Sequence, residues 1–135
     1  MRIILTDNDE ELEVGSSDLL FALYSTIVSC LGTRNKNIGD AIAFLETRKC
    51  ESSDALKIAR QFNLIRDMLS QFKPDKAVYD INDKSKRGPW EGNLSPVVTS
   101  CANFFLTSEG KDLLFEIVAI LTLGYYTNTS VIILE

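Results

Sequence analysis

The chain has 135 residues, 45% of them hydrophobic, and a net charge of −5, which suits a single domain over 1–135 with one core. No stretch reaches the roughly eighteen apolar residues of a membrane span, and the longest candidate, Leu113 to Leu123, is interrupted by Glu116. With no histidine at all, Cys-His and Ser-His catalytic pairs are excluded and the commonest general base at neutral pH is missing.

The N-terminal run Arg2 to Thr6 is β-branched and closes on Asp7-Asn8-Asp9, which reads as a strand and a turn, with a second short strand over about Glu11 to Val14. It lacks the apolar centre and small-residue cleavage site of a secretory signal, so a cytoplasmic protein is expected. Ser16 or Ser17 then caps a helix with apolar residues at 20, 23, 24, 27, 28 and 31, ended by Gly32. A shorter helix is expected over Ile38 to Lys49. A longer one runs from Ser52 or Ser53 to Phe72, where Pro74 stops it. Lys73 to Arg87 is polar around the patch Ala77 to Tyr79, which reads either as a strand or as a packed loop.

Ser95-Pro96 predicts a further helix start, because serine caps and proline tolerates the first helical position. Val97, Val98, Cys101, Phe104 and Phe105 would form its apolar face. A last helix is expected from Lys111 to about Leu123, capped by Thr107 or Ser108, and apolar on nearly every side. Ser130 to Glu135 is again a strand. Strands at both ends of the chain each need a partner for their backbone groups, so one small sheet packed against several helices is expected, an α/β (α+β) domain.

Charge is unevenly placed. Ile3 to Thr33 contains six acids, Asp7, Asp9, Glu10, Glu11, Glu13 and Asp18, and no base, whereas from Arg34 onward thirteen bases balance thirteen acids. Such a field disfavours phosphate backbones and attracts basic protein surfaces. A solvated acidic turn is the structural alternative.

The segment Gly88 to Asn93 (GPWEGN) packs two glycines, a proline and the sole tryptophan into a bend. Trp90 either plugs a gap in the core or is displayed with Glu91 to a partner, as aromatic anchors often are. The series Pro89, Trp90, Gly92, Asn93, Ser95, Pro96, then Phe104-Phe105, Thr107-Ser108 and Gly110 before an apolar helix, resembles the C-terminal half of a family of bacterial polymorphic-toxin immunity proteins, including those of contact-dependent growth inhibition. The resemblance spans Gly88 to Leu123. It implies a small cytoplasmic, non-enzymatic protein that binds the C-terminal toxin domain of a cognate effector. Many such toxins are nucleases, whose basic phosphate-holding faces an acidic inhibitor would fit. The toxin contacts would then include Asp7, Asp9, Glu10, Glu11, Glu13 and Asp18, with Trp90 and Glu91 beside them.

Other chemistry is weakly supported. Asp7, Asp9, Glu11 and Asp18 approach a calcium-loop spacing, but Leu12 stands where the turn needs glycine and Asp18 where the closing glutamate belongs. No glycine is followed by a GK[ST] phosphate cradle. Lys84, Lys86, Arg87 and Trp90 could hold single-stranded nucleic acid, though a solvated loop suits them better in an acidic chain. Cys30, Cys50 and Cys101 have no CxxC spacing and read as reduced, buried thiols. No cofactor or metal is expected. A non-enzymatic structural or adaptor module of a mobile element is the alternative function.

Overall fold

The computed structural model describes residues 1–6, 9–89, 92 and 94–135. Its frame is the expected α+β domain, with both chain ends in one antiparallel sheet. Strands β1 (Arg2–Leu5) and β4 (Val131–Leu134) pair at its centre, Ile3 opposite Ile133 and Leu5 opposite Val131. Those four side chains are buried on one face, as the period of two requires. β2 (Glu11–Glu13) covers the outer edge of β1, and β3 (Lys49–Cys50) that of β4, giving the order β2-β1-β4-β3.

Four helices among the described residues fill in behind the sheet. α1 (Ser17–Leu31) buries Leu20, Leu23 and Ile27 and stops at Gly32, whose φ of 78° lets its N–H reach Val28 O at 3.0 Å. α2 (Gly39–Thr47) ends two residues earlier than its apolar pattern suggests. Arg48 turns left-handed there (φ 67°) and donates to Phe44 O, which frees Lys49 and Cys50 to pair with β4 as the unforeseen strand β3. α3 (Ser52–Leu69) and α4 (Leu113–Tyr126) form the main helix pair. Phe44 of α2 meets Phe62 of α3 edge to face, with ring centroids 6.3 Å apart.

α4 approaches the sheet closely at Gly124. A Cβ there would lie 2.7 Å from Val131 Cγ2 and 3.0 Å from Thr129 O. The glycine costs helix propensity but permits the tight return into β4.

The connection from Ser70 to Asp112 is the main departure from expectation. Ala77 to Tyr79 is a packed loop, not a strand: Thr26 Oγ1 accepts from Val78 N at 2.9 Å and donates to Val78 O at 3.2 Å, while Ser25 Oγ accepts from Ile81 N at 3.0 Å. No helix begins at Pro96. Ser95 closes only a turn, with Val98 N donating to its carbonyl at 3.0 Å. The helical ladder is replaced by the Asn103 side chain, which accepts from Thr99 N and Ser100 N and donates to Val97 O, and by Phe72 O, which accepts from Cys101 N. Cys101, Phe104 and Phe105 are nevertheless buried, as their apolar character demands, whereas Val97 is exposed.

The start of α4 is shifted for a related reason. Thr107 Oγ1 accepts from Glu109 N and Lys111 N, so it closes a tight turn at Gly110 (φ 80°) rather than capping a helix. Leu113 N donates to Phe105 O, and Leu106 bridges Asp112 across that turn. The cap is Asp112, whose carboxylate accepts from Phe115 N at 3.3 Å.

Candidate functional site

The fold sorts the predicted acidic residues into two places. β2 is an edge strand, and its alternation turns Leu12 into the core while Glu11 and Glu13 face away from it. Glu11 meets Arg2 Nη1 at 3.1 Å, and Glu13 lies 3.7 Å from the Met1 amine. Asp9 and Glu10 are exposed just ahead of the strand. Asp18 lies apart in the first turn of α1, where it accepts a hydrogen bond from Tyr79 at 3.1 Å. That bond, with burial and the same negative charge, raises the phenol above its ordinary pKa. Asp7, Trp90 and Glu91 lie outside the described residues.

Two further carboxylates join the first group, and sequence reasoning had not placed them there. Glu109, from the turn before α4, and Glu116, from its first turn, line a groove of about 160 Å³ together with Glu10, Glu11 and Glu13. Ile120, Leu123 and Leu12 supply its apolar part, and Lys111 is its single base. Glu116 carried a signal in the sequence, being the charge that interrupts the most apolar stretch. Glu109 carried none, because only the turn at Gly110 brings it beside β2.

The bases gather elsewhere. Lys76, Lys84, Lys86 and Arg87 line a cavity of about 480 Å³ with Tyr79 and Phe104. Asp75 shares that wall, and Asp80 pairs with Lys86 at 3.4 Å, so its charge is partly offset. Asp83 is held below the ordinary carboxylate range, chiefly by the Ser85 hydroxyl and also by its N–H.

Among the described residues no three His, Cys, Asp or Glu side chains converge as metal ligands, and no helix is long and apolar enough to cross a membrane. What the acidic groove can do is bind: a row of carboxylates over an apolar floor receives a basic surface with aliphatic or aromatic side chains at its centre.

A family model described as Immunity protein 70 matches residues 4–133, far beyond the Gly88 to Leu123 segment that carried the resemblance in the sequence. No curated protein and no solved structure matches the chain.

Proposed function

This chain belongs to the Immunity protein 70 family, and we propose that it binds and neutralises a cognate toxin domain, a nuclease of a polymorphic-toxin or contact-dependent growth inhibition system, through the groove between β2 and α4. The observation that carries this reading is the gathering of Glu10, Glu11, Glu13, Glu109 and Glu116 from three parts of the chain around one groove, where Lys111, Arg2 and the Met1 amine offset only part of their charge. A nuclease must present bases to hold phosphate, and five carboxylates compete for those bases. Their summed field also steers the encounter, which matters for an inhibitor that must act before the toxin does.

In this reading Ile120 and Leu123 give the contact its dry centre and the glutamates its rim and register. Asp9 extends the rim, and Asp18 is a secondary contact held in place by Tyr79. Asp7, Trp90 and Glu91 are assigned to the interface on sequence alone. The protein acts by occupancy, without a catalytic residue, metal or cofactor, and in the cytoplasm, where the toxin's nucleic-acid substrate lies.

The test pairs this chain with the C-terminal domain encoded immediately upstream. Glu109→Lys with Glu116→Lys should slow association about 10- to 100-fold at low salt, with the difference shrinking as salt rises. Unchanged affinity and rate would remove the groove from the interface. A protective complex with a toxin that leaves nucleic acid intact would refute the nuclease assignment while leaving immunity in place.

A further inference from the structure

The cavity that gathers the bases is walled by a loop whose backbone the core holds. Lys76, Lys84, Lys86 and Arg87 line its volume of about 480 Å³ with Tyr79 and Phe104, while Pro74, Ala77 and Val78 add apolar surface. α1 contributes two fully buried hydroxyls to this wall: Thr26 Oγ1 accepts from Val78 N and donates to Val78 O, and Ser25 Oγ accepts from Ile81 N. Buried hydroxyls used this way fix the backbone beneath the bases. Further along, Asp80 accepts from Asn82 N at 2.8 Å and pairs with Lys86 at 3.4 Å, and Asp83 accepts from Ser85 N through its carboxylate and from Lys86 N through its carbonyl, each at 3.1 Å. Tyr79, half-buried, is oriented by its hydroxyl on Asp18.

We propose that this cavity binds a nucleoside diphosphate, its phosphates on the bases and its ring against Tyr79 and the apolar lining. A volume of about 480 Å³ falls within the roughly 300–1,000 Å³ of small-molecule sites, which join an apolar lining to a few polar groups. The charge also matches. Asp75 is the acid of the lining, so the lining bases exceed it by three, or by two once Asp80 is set against Lys86. Arg87 can offer a phosphate two parallel N–H donors, and each lysine a compact ammonium.

Other anions fit this lining less well. Phosphate or pyrophosphate alone would use the bases and leave the aromatic and apolar surface without a role. A nucleic-acid strand binds along an extended groove that tracks several successive nucleotides, whereas a single cavity takes one. The chain's net charge of −5 does not forbid an anion here, because exposed charges farther away than about 8 Å are largely screened at physiological ionic strength. The acidic groove and this cavity share no lining residue, so the site stands whether or not the groove meets a toxin.

Full-length protein is titrated in a calorimeter with ADP, GDP, CDP and UDP, and separately with pyrophosphate, the matching nucleosides and a short single-stranded oligonucleotide. At least one diphosphate should bind saturably, one per chain, and about tenfold or more tightly than pyrophosphate or its own nucleoside. Lys84→Ala with Arg87→Ala, both at exposed positions, should weaken that binding about tenfold or more. Tyr79→Leu, which removes the ring, should weaken it about fivefold. Lys36→Ala with Lys49→Ala removes the same charge outside the lining and should leave binding unchanged. Saturable binding by none of the four, equal binding of pyrophosphate, tighter binding of the oligonucleotide, or a loss in the Lys36 and Lys49 variant as large as in the Lys84 and Arg87 variant would overturn the proposal.

Discussion

The sheet-and-helix frame and the connection from Ser70 to Asp112 satisfy their backbones by different means, although both bury apolar side chains. In the frame the hydrogen bonds run to the residue four back in a helix or directly across a strand, so local sequence period and hydrogen bonding agree. In the connection the partners are remote or belong to side chains: Thr26 and Ser25 of α1 serve Val78 and Ile81, Phe72 serves Cys101, and Asn103 serves Thr99 and Ser100. Burial alone therefore does not reveal how a backbone is held. Substitutions that act on backbone room or on single hydroxyls separate the two regions.

The largest effect is expected in the frame. Gly124→Ala adds one methyl, and at an open helix position would stabilise by about 0.5–1 kcal/mol. Here the new Cβ falls 2.7 Å from Val131 Cγ2 and 3.0 Å from a backbone oxygen. Overpacking should instead cost about 1–3 kcal/mol. Denaturant titration decides by sign, and a stabilised variant would mean that α4 does not approach β4 as closely as described.

Thr26→Val is the matching change on the connection. The side chain is fully buried, so its shape is kept while a hydroxyl that both accepts from and donates to Val78 is lost. About 1–2 kcal/mol is expected from the orphaned peptide group. Hydrogen exchange should quicken around Val78 and not in β1 or β4. Equal acceleration in both would show that the connection and the frame open together.

The same distinction explains what could be read in advance. Arg2 to Thr6 and Ser130 to Glu135 announce their strands as short β-branched runs beside turn residues, and α1 and α3 their faces by spacing of three and four, because those patterns are local. The two-residue β3 left no pattern to read. The apolar positions 97, 98, 101, 104 and 105 fit a helix in spacing, and tertiary hydrogen bonds won over that local preference. The candidate groove was half legible. Glu10, Glu11 and Glu13 stand together in sequence, but Glu109 and Glu116 reach them only through the turn at Gly110.

The smallest expected effect tests that reversal at the two helix-start signals. Ser95-Pro96 has the better sequence signature, yet Ser95 is exposed and its hydroxyl accepts from Val97 N, at 3.4 Å, within a turn. Asp112 has the poorer signature and caps a helix that is packed on α3, with Arg66 of α3 over the Phe115 ring of its first turn. Removing a working cap costs about 1 kcal/mol, whereas removing a hydroxyl from a solvated turn stays within about 0.5 kcal/mol. Asp112→Ala should therefore destabilise clearly and Ser95→Ala barely. A larger loss for Ser95→Ala would restore a helix at Pro96 and would require Asn103 to release Thr99 and Ser100, since one backbone cannot be held both ways.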